Sequence, residues 1–387
     1  MPHARLPYPT LPVRAALPVF LLSLLMACGS PDTPDVAGTP VTFRHASLLR
    51  VQRTDSFTVC DVMNPWREGT LLHRYVLVPR ARKQLPSSLP EGTLVRTPLR
   101  RAVAFSSVHA SLLCDLGAAE SLCGVCDYDY IVRDDLRKAV AEGRMADMGA
   151  AHLPDAEKIV AARADALLVS PFENAGYAGV EGFNIPLIEC ADYMETSPLG
   201  RAEWMRFYGL LFGCEARADS IFRSIEAAYN NLAAEAANAP ARPRLLVDNI
   251  QGGAWYVPGG SSTMGRIFRD AGADYCFDYL PGSGSVTLSF ETIFSKARNA
   301  DIWLIKYGAA TDLTYAQMAA DYAPYREFRA WRERRIWQCN VSHTPFFEDT
   351  PFHPERLLAD LVRIFHPDFG MPTDSAATAP HYFTPMQ

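Results

Sequence analysis

The sequence predicts an α/β protein of two lobes, each a mostly parallel sheet covered by helices, joined by one long spacer helix with a ligand cleft between the lobes. Three features point there. Strand-like and helix-like patterns alternate on both sides of the chain's middle, as in parallel sheets with crossover helices. An uninterrupted amphipathic stretch at 216–237 separates the two alternating regions. A helix-to-strand unit also recurs: Glu157 opens a helical run that feeds a strand through Ala164-Asp165, and Glu291 opens one that does so through Ala300-Asp301.

The spacer reads as one helix because Ala218, Ile221, Phe222, Ile225, Tyr229, Leu232 and Ala236 recur at helical spacing, with Arg217, Asp219, Arg223, Glu226 and Glu235 mostly on the other face. Twenty-two residues at helical rise span roughly 33 Å, the width of a small domain. Gly213 closes a preceding helix, and Pro240 and Pro243 follow the spacer.

In chain order, Arg5 and Arg14 precede an apolar run at 15–27, too short to span a bilayer and shaped like a secretory signal. Leu25-Met26-Ala27-Cys28 resembles a bacterial lipobox, which implies that Cys28 is the lipidated first residue of the mature chain. The expected organisation is therefore a lipoprotein signal at 1–28 and a flexible tether at 29–42, rich in Gly, Ser, Thr, Asp and Pro. A hairpin region follows at 43–96, then an N-terminal lobe at 97–197, connecting helices at 198–240, a C-terminal lobe at 241–370 and a tail at 371–387. In the hairpin region the alternating runs 56–62 and 71–78 flank Asn64-Pro65-Trp66-Arg67-Glu68-Gly69.

Composition bounds the function. The 387 residues, 49% apolar and 21% charged, suffice for two real cores, and a net charge of -6 offers no overall basic surface for nucleic acid. Of the eight cysteines after Cys28, Cys123 and Cys126 have metal or redox spacing, but no second pair completes a zinc site, and their apolar neighbours favour buried thiols. No nucleophile motif, phosphate-cradling loop or catalytic triad spacing is present. Gly259-Gly260-Ser261-Ser262 before a helix is most simply a tight turn.

The opening strand at 101–105 followed by Leu116-Gly117-Ala118, the Glu157 helix, the segment from Tyr193 to Trp204, the Trp255-Tyr256-Val257-Pro258-Gly259-Gly260 turn, the Glu291 helix and the closing run at 357–367 stand in an order that resembles one family. It is that of the ABC-transporter substrate-binding proteins of the single-helix-hinge class, and the likeness covers 97–369. The resemblance implies a receptor rather than an enzyme. Such a receptor works outside the cytoplasm as a monomer without a cofactor of its own, holds one iron-siderophore, haem, cobalamin or metal-ion ligand between the lobes, and delivers it to a permease and its ATPase. It also implies that Glu157 and Glu291 dock to basic permease residues; carboxylates at helix N-termini are stabilised there and can align a basic partner. Glu195 and Glu203 are expected to be structural, and Ser197 before Pro198 an N-cap.

Strand-end loops should line the cleft: Ser107, His109, Tyr130, His152, Phe172 and Glu173 from the first lobe, and Trp255, Tyr256, Ser285, Lys306, Tyr307 and His343 from the second. The abundance of aromatics favours an organic chelate over a bare ion. Lys306, with Arg266 and Arg269, is a candidate partner for an anionic chelate. His109, His152 and His343 leave direct ligation of a metal or haem iron open. A rival reading is a tetrapyrrole metal chelatase, which requires His109 or His343 to face a carboxylate such as Glu173 or Glu348 across the cleft.

Overall fold

The computed structural model describes residues 38–368 and 382–387, and residues 37–387 form one compact unit. The expected signal, Cys28, most of the tether and part of the tail lie outside the described residues.

The region expected to be a hairpin is larger: a five-stranded sheet of β1 (Thr39–Val41), β2 (Leu49–Arg53), β3 (Thr58–Met63), β4 (Leu71–Pro79) and β5 (Thr93–Thr97), in that spatial order. The hairpin is its centre. Asn64 Oδ1 accepts from the amides of Trp66 and Arg67 at 2.9 and 3.0 Å, which ties the β3–β4 turn. β1 is only three residues long and partly exposed, so no apolar alternation announces it. β5 joins β4 in parallel after a Pro-rich connector.

The N-terminal lobe is built on β6 (Ala102–Ala104), β7 (Leu122–Val125), β8 (Ala146–Asp147), β11 (Ala166–Val169) and β12 (Leu187–Glu189), all parallel in the order β12-β11-β6-β7-β8. A two-residue ladder of β9 (Gly149–Ala150) and β10 (Leu153–Pro154) sits beside it. Every residue of β6 and β11 is buried, the short continuous apolar run of a sheet covered on both faces. The helices are α1 (Ser107–Asp115), α2 (Asp134–Ala141) and α3 (Ala156–Ala162).

Three helices connect the lobes: α4 (Pro198–Glu203), α5 (Met205–Phe212) and α6 (Glu215–Ala237). Ser197 caps α4 by accepting from the Gly200 amide, with Pro198 in the first turn. Glu203 accepts the amides of Arg44, His45 and Ala46 at 3.0, 2.8 and 2.9 Å. Glu195 accepts from Ser47 and Leu48 amides and from Trp204 Nε1 at 3.0, 2.9 and 2.9 Å. Both buried carboxylates thus clamp the chain before β2 onto the connector, the structural use expected of them. The spacer α6 buries Ala218, Phe222, Ile225, Tyr229 and Ala236, and the Tyr229 hydroxyl donates to Asp270 at 2.7 Å.

The C-terminal lobe repeats the style. β13 (Arg244–Val247), β16 (Asp274–Tyr275), β18 (Ile302–Tyr307) and β19 (Ile336–Asn340) are parallel, and an antiparallel three-stranded sheet of β14 (Ile250–Gln251), β15 (Ala254–Pro258) and β17 (Ser285–Leu288) stands beside them. Its helices are α7 (Thr263–Asp270), α8 (Phe290–Ala297), α9 (Tyr315–Asp321), α10 (Arg329–Arg332), α11 (Phe346–Asp349) and α12 (Pro354–Phe365). The tail is not a mere appendage: β20 (Thr384–Pro385) pairs antiparallel with β19, and Tyr382, Phe383 and Met386 are buried. At Gly260 a Cβ would lie 1.8 Å from the Asp278 carbonyl oxygen, so the Gly-Gly turn is a close backbone approach.

Candidate functional site

Parallel sheets present their ligand-binding loops at the carboxyl ends of strands. Here Ser106 follows β6, Asp127 follows β7 and Ser170 follows β11, while Asp248 follows β13, Gly308 follows β18 and Val341 follows β19. These residues line three hollows of about 500, 430 and 100 Å³. The largest and the smallest share Tyr193 and Arg201; the largest and the second share Gly308, Val341 and Phe347; the second and the smallest share Ser106 and Val108. Together they form one cleft between the lobes.

The N-terminal wall is organised by a buried charge cluster. His109 Nε2 donates to Asp192 Oδ1 at 2.8 Å, Arg201 Nε donates to Asp192 Oδ2 at 3.1 Å, and the Tyr208 hydroxyl donates to Asp192 Oδ1 at 3.2 Å. Burial works against the imidazolium of His109, but Cys190 and the Asp192 carboxylate outweigh it and lift its pKa to about 10. Burial likewise opposes the Asp192 carboxylate, and His109 and Arg201 overcome it and hold its pKa below the ordinary value. The His109 ring and the Arg201 guanidinium thus share the single Asp192 carboxylate in this corner. Arg201 touches both the largest and the smallest hollow, with 23% of its side chain exposed.

The facing wall is more apolar. Tyr256 and Phe347 are exposed at 46% and 55%, and the Tyr307 hydroxyl donates to Gln338 Oε1 at 2.7 Å. Lys306 lines the cleft, but its Nζ donates to Asp248 Oδ1 at 2.6 Å, so its charge is already matched. Of the two expected arginines near it, Arg269 is bound to Asp278 and the Gly260 carbonyl, and Arg266 is exposed on α7; neither lines the cleft.

The structure brings Ser107, His109, Tyr130, Phe172, Tyr256, Ser285, Lys306 and Tyr307 to the three hollows. It corrects four expectations. Trp255 is fully buried, stacked 5.7 Å from Trp303, with Nε1 donating to the Val247 carbonyl at 2.9 Å; alternation along β15 turns it to the core and Tyr256 to the cleft. His152 and Glu173 are exposed and line none of the three hollows, and His343 spends its Nε2 on the Ala310 carbonyl at 3.1 Å. The chelatase geometry is also not met: His109 faces Asp192 of its own lobe and not a carboxylate across the cleft, and Glu348 accepts the amides of Val132 and Arg133, both at 3.1 Å. Burial pushes the Glu348 pKa up to about 7. Sequence reasoning missed Arg201, Asp192, Tyr193 and Asp248; the run from Tyr193 to Arg201 lay in the segment carrying the family resemblance, but nothing marked it as cleft.

Glu157 and Glu291 occupy the same position, the second residue of α3 and of α8, and both are exposed. Cys126 is buried and Cys123 half-buried, and all eight cysteines among the described residues are free thiols.

Two parallel-sheet lobes on a single spacer helix, facing each other across a cleft of this size, define a solute receptor. The family model for periplasmic binding proteins matches residues 103–340, and the chain belongs to that family. Its fold is shared with a periplasmic binding protein from Veillonella parvula (TM-score 0.59, 14% identity, 81% of this chain and 99% of that one). A possible iron-binding (periplasmic solute-binding) protein from Staphylococcus epidermidis is also similar (TM-score 0.55, 17% identity, 69% and 99%). So is a periplasmic haem-binding protein from Pseudomonas aeruginosa (TM-score 0.54, 19% identity, 70% and 94%). By sequence the chain is 25% identical over 296 residues to an uncharacterised lipoprotein of Methanocaldococcus jannaschii, covering 71% of this chain and 67% of the relative. The family match begins at Val103, so the β1–β5 sheet lies outside it.

Proposed function

We propose that the protein is the lipid-anchored receptor of an ABC importer, which captures an anionic iron chelate of the siderophore type in the interlobe cleft and delivers it to a permease. The observation that carries this reading is the part-exposed Arg201 guanidinium, held beside His109 by Asp192 where two hollows meet and faced by Tyr256 and Phe347. A planar guanidinium suits carboxylate or catecholate oxygens, and aromatic faces suit the organic body of a chelate. The names of similar structures agree, since they include iron-binding and haem-binding proteins. Among the described residues no three His, Cys, Asp or Glu side chains converge as a cation cage, which favours a chelate over a bare ion. Cys28 would hold the receptor at a membrane, and Glu157 and Glu291 would meet the permease.

Native mass spectrometry of residues 37–387 with ferric siderophores, haemin, cobalamin and divalent metals tests the ligand class. Retention of a ferric chelate is expected; retention of a bare divalent metal alone would overturn the reading. Converting Glu157→Lys and Glu291→Lys together should abolish uptake in cells while leaving chelate affinity nearly unchanged, and a large loss of affinity would remove both residues from the docking role.

A further inference from the structure

The end of the molecule opposite the cleft carries a charge arrangement that ligand capture does not use. Strand register defines that end. Thr39 pairs with Arg53, Arg53 with Thr58, Thr58 with Leu77, and Pro79 with Thr97. The Arg80 guanidinium then pairs at 2.7 Å with Asp165, just before β11. The described chain therefore enters at the same end as the amino ends of the N-terminal lobe strands, while the cleft lies at their carboxyl ends.

Segment 80–101 carries Arg80, Arg82, Lys83, Arg96, Arg100 and Arg101 against one carboxylate, Glu91, in a chain of net charge -6. Arg82, Lys83, Arg100 and Arg101 are exposed, and of the six only Arg80 has a carboxylate within ion-pair distance among the described residues. Next to this segment, Arg100, Arg101, Arg144 and Lys158 line a hollow of about 470 Å³, with Glu120 as its carboxylate. Arg144 is paired with Glu142 at 2.7 Å and Lys158 lies 3.7 Å from Asp155, so the unmatched charge belongs to the 80–101 segment.

We propose that this basic end seats the undocked receptor on an anionic phospholipid surface with the cleft pointing away from it, a seat the protein leaves to meet the permease. The orientation rests on the reading of Cys28 as the lipid anchor. Only residues 29–38 separate Cys28 from Thr39, about 34 Å at full extension, so an anchored chain holds its basic end close to the headgroups. Attraction between basic side chains and an anionic leaflet acts within about a Debye length, and an acyl anchor with a polybasic patch holds a protein to a membrane more firmly than either alone. The membrane that carries the anchor is thus the one the basic end faces.

The test is flotation of residues 37–387, which lack the anchor, with vesicles of phosphatidylcholine alone or mixed with phosphatidylglycerol. Binding at low salt should be about tenfold or more stronger to the mixed vesicles and fall away near about 0.5 M salt. The variant Arg82→Glu, Lys83→Glu, Arg100→Glu should lose it, while Arg223→Glu on the spacer should keep it. Inorganic phosphate at the same ionic strength should compete no better than chloride. Equal binding to both vesicle types, no binding at low salt, or retention by the triple variant would overturn the proposal. Ferric chelate affinity measured on the same variants separates the two readings: if the wild-type chain binds no chelate, the ligand proposal fails and the lipid result stands on its own.

Discussion

The two walls of the cleft are reached by the same strand-end geometry and finished with different chemistry. On the N-terminal side, Asp192 is buried and holds His109, Arg201 and Tyr208 at once, so the polar groups at the cleft are fixed by charges removed from water. On the C-terminal side the buried layer is aromatic, with Trp255, Trp303, Tyr325 and Phe328 packed edge and face at 5.0 to 5.9 Å, and the cleft side chains stand on top of it. Lobes that echo one another in sequence therefore need not contribute alike: one orients charge, the other supplies shape.

The sharpest way to break this contrast is Asp192→Ala. It leaves His109 and Arg201 without their common carboxylate and should lower unfolding stability by about 3–5 kcal/mol in urea titrations. A loss under about 1 kcal/mol would mean that the N-terminal wall does not depend on buried charge. Trp255→Ala should cost a comparable or slightly smaller amount, about 3–4 kcal/mol, through the cavity it leaves, yet change chelate affinity of the folded protein little. A large affinity loss at matched folded fraction would return Trp255 to the site.

Titration separates the walls further. With a folded pKa near 10 against an ordinary 6.5, His109 contributes stability that is fully present below 6.5 and lost as pH rises toward 10. Asp192, with its pKa lowered, contributes stability present above its ordinary value of 3.8 and lost in acid. Urea unfolding across these windows should show both slopes in the wild type, and His109→Gln should flatten the alkaline one. The smallest expected effect is that of Tyr256→Ala, which should weaken chelate binding by about 1–2 kcal/mol with stability nearly unchanged; unchanged affinity would show that the shape of the C-terminal wall is set below its surface.

Local patterns were legible where one element sufficed to define them. The spacer stripe, the Ser197 cap, the paired positions of Glu157 and Glu291 and the β3–β4 turn each follow from spacing within a few residues. The cleft was half legible, because strand-end loops could be named but not the direction of their side chains. Trp255 and Tyr256 are neighbours, and a one-residue shift in the assumed alternation exchanges core for cleft. Arg201 and Asp192 escaped because their meaning lies in a pair that includes His109, 83 positions from Asp192, and no periodicity encodes that distance. The tail strand was missed because Thr384 and Pro385 are too few to make a pattern.

That short strand decides whether the C-terminal sheet has an open border. Thr384 and Pro385 cover the outer side of β19, whose other side is taken by β18, while Tyr382, Phe383 and Met386 anchor them in the core. Without them that border would stand open to pairing with any passing chain. The strand therefore acts as a closing hem, and its removal would be felt in self-association before it was felt in ligand capture.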